Sequence, residues 1–245
     1  MDAIYSGESA LSYPEVMSEE WTIEQLVNRK YRGLARFGDG DFNIMRGQSD
    51  RYHHPCPHLA QALAETLHRG SNQVLNCLIP PPLLAQPGNL AYQRWLMYLE
   101  ANAGILPFLN DERYGSSNVS RMDSCPHLHT TGWWMSVSEL WRDRDICLVS
   151  GSDRSLTKKK LDTSPNAPKS VAEVTCKARD NFSQLDDLYK LVLEADKEVV
   201  ILSSGLVTRP LVHKLVAAGL FAYDLGHVGL WFNEGHPIPL ADCRK

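Results

Sequence analysis

Residues 34–47, Leu-Ala-Arg-Phe-Gly-Asp-Gly-Asp-Phe-Asn-Ile-Met-Arg-Gly, hold the side chains best suited to chemistry. Asp39 and Asp41 alternate with Gly38 and Gly40, directly after an apolar run from Gly33 to Phe37 that reads as a buried strand. Carboxylates on a glycine-punctuated loop at a strand's carboxyl end stand where open α/β sheets bind ligands. Oxygen donors spaced this way suit a hard divalent cation, Mg²⁺ or Mn²⁺, which commonly also holds substrate phosphates. An Asp-x-Asp triplet alone is most often a solvated turn. Its position after a strand, with Arg36 just before it, gives the metal reading its weight.

Three more polar, glycine-containing turns follow apolar runs: Ser150-Gly151-Ser152-Asp153-Arg154-Ser155, Ser203-Ser204-Gly205 and Asp224-Leu225-Gly226-His227. The second leads into a helix beginning near Val207, so its backbone N–H groups can face an anion at a helix N-terminus. Neither a G-x-x-x-x-G-K-[ST] loop nor a G-x-G-x-x-G fingerprint occurs. Each turn alone is ordinary turn chemistry; four that can line one sheet edge make a better case together. His53, His54 and His58 flank Pro55 and Pro57 without Cys or His partners at zinc spacing, which predicts a solvated loop.

The elements that must position these turns can be read around them. Residues 1–20 lack periodicity and read as an irregular lead-in; 21–245 read as a single α/β domain. Thr22 with Gln25 signals a short helix through Lys30. Leu59, Ala62, Leu63 and Leu67 mark an amphipathic helix ended by Gly70, and Val74 to Ile79 a strand stopped by prolines. Helices are expected over 90–109, Trp133 to Trp141, Leu185 to Ala195 and Val207 to Ala218. Strands are expected at Asp145 to Val149, Val171 to Cys176, Val199 to Ser203 and Phe221 to Leu225, with residues 152–170 as a loop. Strands alternating with helices argue a mostly parallel sheet flanked by helices.

Composition narrows the class. The chain has 245 residues, 43% hydrophobic and 22% charged, which suits an ordinary globular domain. A net charge of −4 argues against nucleic acid as an obligatory partner. Six scattered cysteines without a C-x-x-C pair read as reduced and structural, Cys77 and Cys147 inside apolar strands. No apolar run approaches the ~20 residues of a membrane span, and the polar start lacks a signal-peptide core, so a cytoplasmic protein is expected.

Arg-Phe-Gly-Asp-Gly-Asp-Phe, Val-Ser-Arg at 119–121, the strand ending at Ser150-Gly151 with Arg154 and Ser155, Leu-Ser-Ser-Gly with Thr208, and Asp-Leu-Gly-His together resemble the GT-D-type glycosyltransferases. The resemblance runs from about Gly33 to Phe232. It implies a Rossmann-like fold and metal-dependent sugar transfer from a UDP-sugar, the family's Asp-x-Glu motif mapping onto Asp39 and Asp41. Asp41 replaces the usual Glu, and Gly229 and Leu230 stand where relatives carry acidic residues. On this reading Asp39 and Asp41 hold Mn²⁺ or Mg²⁺. Arg36, Gly38, Gly40, Gly151, Arg154, Ser204, Gly205 and Thr208 meet the donor and its phosphates, with Lys158, Lys159 and Lys160 as further cations. A base at the acceptor hydroxyl is expected in Asp224 or His227. The acceptor stays open among protein-linked glycan, other glycan and modified DNA. Two rival readings use the same residues: a DNA-modifying transferase acting on a hydroxylated base, and a non-catalytic nucleotide-sugar-binding module.

Overall fold

The computed structural model describes residues 13–50, 52–69, 72–81, 90–106, 109, 113–121, 125–151, 156–233 and 236–237. At its centre lies a seven-stranded sheet: β1 (Gly33–Arg36), β2 (Val74–Leu78), β3 (Gly115–Ser116), β4 (Asp145–Ser150), β5 (Ser170–Thr175), β6 (Val199–Ser203) and β7 (Phe221–Asp224). The spatial order is β3-β2-β1-β7-β6-β4-β5, and every pairing is parallel. Parallel sheets are covered on both faces, so their strands read as continuous apolar runs. β6 demonstrates this: Val199 and Ile201 enter one core, Val200 and Leu202 the other.

Helices α1 (Glu19–Val27), α5 (Thr131–Ser138) and α6 (Lys158–Asp162) supply Leu26, Trp134 and Leu161 to the first core. Helices α2 (Asp39–Met45), α3 (Pro57–Arg69), α7 (Leu185–Glu194) and α8 (Thr208–Ala217) supply Phe42, Leu63, Val192 and Leu211 to the second. Helix α4 (Leu90–Ala101) packs Trp95 against Tyr13 and Tyr98. Cys77 and Cys147 are fully buried core residues. Among the described residues no helix is long and apolar enough to cross a membrane.

Three elements differ from expectation. Helix α1 begins at Glu19 because Ser18 caps it, its side chain accepting from the Trp21 N–H at 3.1 Å. Thr22 instead joins α1 to β3, accepting from the Ser116 N–H at 2.9 Å. The 152–170 stretch, expected as loop, contains α6, capped by Thr157. The acidic loop after β1 is the first turn of α2.

Candidate functional site

A cleft of about 1130 Å³ opens where β1, β4, β6 and β7 end, bordered by Gly38, Gly151, Ser204 and Gly226 among others. The first wall is the turn from β1 into α2. Gly38 is its N-cap in extended conformation, and Asp41 reaches back to accept the Gly38 N–H at 2.9 Å. Residues two apart on a helix point in different directions, and the two carboxylates separate accordingly. Asp39 is exposed and lines the cleft with Gly40; Asp41 is 1% exposed and ion-paired with Arg209, whose Nη2 donates to Oδ2 at 3.0 Å while Nε stands 2.8 Å from Oδ1. Burial pushes the Asp41 carboxyl up to about 6, against the pull of Arg209 and the Gly38 N–H.

Beneath the cleft two guanidiniums interlock with two carboxylates. Arg36 donates from Nε to the Asp224 carbonyl at 2.8 Å and from Nη1 to the Ser117 carbonyl at 3.2 Å, with Nη2 at 3.4 Å from Asp224 Oδ1. Arg209 Nη1 stands 3.5 Å from Asp224 Oδ2. Asp224 is fully buried and also accepts the Gly226 N–H at 3.0 Å. Expected as a base, Asp224 instead holds the two arginines; a carboxylate enclosed this way cannot reach an acceptor hydroxyl. A Cβ on Gly226 would lie 1.9 Å from Arg36 Nη2, so that position must be glycine for the arginine to pass.

The second wall is the turn after β6. Gly205 has φ +76° and opens a 3-10 turn that runs into α8. Ser204 is buried and lines the cleft. Thr208 does not reach the cleft: it is fully buried, donating to the Gly205 carbonyl at 2.7 Å and accepting from Arg209 Nη1 at 2.8 Å, so it fastens the turn. Gly151 lines the cleft, and a Cβ there would press on Cys176 Sγ at 2.8 Å and the Lys177 carbonyl at 3.2 Å. Arg154 lies outside the described residues. Lys158 pairs with Asp162, Lys160 donates to the Gly229 carbonyl, and none of Lys158, Lys159 and Lys160 lines the cleft. His227 lines the rim, half-buried, its ring 6.2 Å from that of Tyr52.

Sequence reasoning passed over Arg209, Asp50 and His53. A cation in a helix's first turn opposes the helix dipole, so Arg209 at the start of α8 carried a readable hint of dedicated partners. Asp50 Oδ1 accepts the N–H groups of Tyr52 at 2.8 Å and His53 at 2.5 Å, folding the segment inward. His53, expected in a solvated loop, is therefore 4% exposed and lines the cleft, whereas His54 points outward to Asp180 Oδ2 at 2.8 Å. An Asp ahead of a turn was the signal.

Among the described residues no cluster of three or more His, Cys, Asp or Glu side chains converges as a metal cage. Among the described residues Asp39 is the exposed carboxylate at the cleft, and the half-buried Asp50 carboxylate lies beside Gly40. One carboxylate fits an ion such as Mg²⁺ that keeps waters and takes its other oxygens from substrate phosphates.

A parallel sheet with a cleft over its central strand ends, walled by two strand-to-helix turns, defines a doubly wound α/β protein with its ligand site at the carboxyl edge of the sheet. Residues 34–235 match the family model described as "Glycosyltransferase GT-D fold", and the chain belongs to that family. It is 27% identical over 238 residues to "Probable glycosyl transferase Gly" of Streptococcus gordonii, covering 92% of this chain and 34% of the relative. It is 22% identical over 228 residues to "Glycosyltransferase GlyD" of Streptococcus pneumoniae serotype 4 (strain ATCC BAA-334 / TIGR4), covering 90% and 28%. The chain thus spans about a third of the length of these relatives. The structure described as "A New Glycosyltransferase (DUF1792) from Streptococcus sanguinis" superposes with a TM-score of 0.75 at 25% identity, covering 91% of this chain and 86% of that one.

Proposed function

We propose that the chain transfers a sugar from a nucleotide-sugar donor, a UDP-sugar, to a hydroxyl acceptor with the help of Mn²⁺ or Mg²⁺. One observation carries this reading: the exposed Asp39 of the first α2 turn and the Gly205 turn ahead of α8 open into the same cleft. The names of the relatives and the family membership support the transferase class. The donor's diphosphate lies between the two turns, where backbone N–H groups at helix starts favour an anion. Asp39 would hold the ion, which when bound would supply positive charge to offset that of the leaving diphosphate. Arg36, Arg209, Asp41 and Asp224 hold both walls at fixed spacing, which is the positioning that transfer requires. Gly38, Gly40, Gly151, Ser204 and Gly205 border the donor.

Calorimetric titration with UDP and UDP-sugars, with Mn²⁺ and with chelator, tests the reading alongside an assay for UDP release. Metal-dependent binding that Asp39→Ala abolishes, with the fold retained by circular dichroism, is the expected result. A parent that binds no nucleoside diphosphate under any metal condition overturns it.

A further inference from the structure

Among the described residues three imidazoles line the cleft, those of His53, His127 and His227. His127 is exposed and His227 half-buried at the rim; His53 alone is enclosed, at 4% exposure. Its Nδ1 is buried without a hydrogen-bond partner. A buried polar atom left unpaired is costly, so its retention calls for a reason. On the other side of the ring, Nε2 would stand 3.3 Å from a Cβ at Gly205, directly over the turn that borders the donor. The ring's placement comes from the backbone around it. Asp50 accepts the His53 N–H at 2.5 Å, and Asp180 holds the next residue through the His54 N–H at 2.8 Å, leaving the imidazole uncommitted.

We infer that His53 is the catalytic base that takes the acceptor's hydroxyl proton, an assignment that rests on the glycosyl-transfer reading. The acceptor oxygen forms a bond to the anomeric carbon as the bond from that carbon to the diphosphate oxygen breaks. The bonding pair leaves with the nucleoside diphosphate, and the hydroxyl proton passes to His53 Nε2 and then to water. The charged groups facing the ring are Asp50 from its own segment, Asp180 from the β5–α7 connection and Arg209 from α8. Burial lowers its pKa from the ordinary histidine value and Arg209 adds to this, against the two carboxylates. At pH 7 the imidazole is then neutral, the form able to accept a proton.

His53→Gln and His53→Asn, each checked for folding by circular dichroism, test the assignment with a UDP-sugar donor. The expected result is a kcat lower by about 10²–10⁴-fold, the usual cost of losing a general base. UDP affinity should stay within about twofold, and the acid limb of the parent pH profile should disappear. Added imidazole should restore part of the rate in His53→Ala. Two outcomes overturn the inference while leaving glycosyl transfer intact: folded variants that keep kcat within about threefold of the parent, or variants whose rate loss is matched by lost UDP affinity. A parent that binds no UDP fails at the earlier step and is recognisable as such.

Discussion

The turn after β1 and the turn after β6 look alike in one dimension: an apolar strand, glycine, polar residues and a helix. They are ordered by different means. At residues 38–41 the glycine is extended, φ −150°, which any residue adopts, and a carboxylate supplies the order as Asp41 closes on the Gly38 N–H. At residues 203–208 the glycine itself supplies the order at φ +76°, and its carbonyl gathers Thr208 Oγ1 and Arg209 Nη1, each at 2.7 Å. Arg209 belongs to both, bonded to Asp41 in the first turn and Gly205 in the second. One wall of the cleft is held by charge and the other by backbone geometry, with a single guanidinium joining them.

Removing that joint should produce the largest effect. Arg209→Met leaves Asp41 and Asp224 buried without their shared cation. Breaking a buried pair by deleting one partner typically costs about 3–5 kcal/mol, and urea denaturation at pH 7 should register a loss of that order. A cost under about 1 kcal/mol would mean that the two walls stand independently.

The charge-held wall should also respond to pH. The folded Asp41 carboxyl titrates near 6, raised chiefly by burial, while an unfolded Asp titrates near ~4. Between those values the folded protein keeps a proton that the unfolded chain has released. The stability due to this group is therefore full below about pH 4 and declines as pH rises to about 6, by about 2–3 kcal/mol. Asp41→Asn keeps the shape and should lack this decline, seen as the parent-minus-variant difference in urea midpoints across pH 4–7. A parallel pH dependence in both proteins would show that Arg209 holds Asp41 ionised throughout.

The two turns also mark how far the sequence could be read. β6 was legible to its last residue because Val199 to Ser203 is buried on both faces and its apolar run is unbroken. β3 escaped notice because it is two residues long and exists by pairing with β2. Helix α2 was read as a loop because Gly and Asp have poor helix propensity. Burial of Phe42 and Ile44 and the Asp41 cap override that preference, and these are tertiary facts. The two acidic residues at the β1 edge were read alike as metal ligands, and their separation into an exposed Asp39 and a buried Asp41 was hidden. Asp41 and Arg209 are 168 positions apart, and no local pattern announces their pairing. Asp224 was similarly visible as a strand-end carboxylate and invisible as the partner of two buried arginines.

The sharpest small-scale test substitutes the same residue into both turns. Gly205→Ala forces a side chain into the left-handed region, where strain costs about 1–3 kcal/mol, and its Cβ would sit 3.3 Å from His53 Nε2. Thermal or urea denaturation should report that loss, and UDP affinity should fall with it because the wall itself shifts. Gly38→Ala meets neither obstacle. Its backbone is extended and the nearest atom to a new Cβ is Ile79 Cδ1 at 3.9 Å. Gly ranks well above Ala at an N-cap, so the exchange gives up much of the ~1 kcal/mol of a good cap, and the stability loss should stay below about 1 kcal/mol. The methyl group instead enters the space the donor occupies, so UDP affinity should drop severalfold in a protein that keeps most of its stability. Equal stability losses at both positions would erase the distinction between a wall held by charge and one held by backbone. An intact fold with undiminished UDP binding in Gly38→Ala would move the diphosphate away from the β1 turn and toward Gly205.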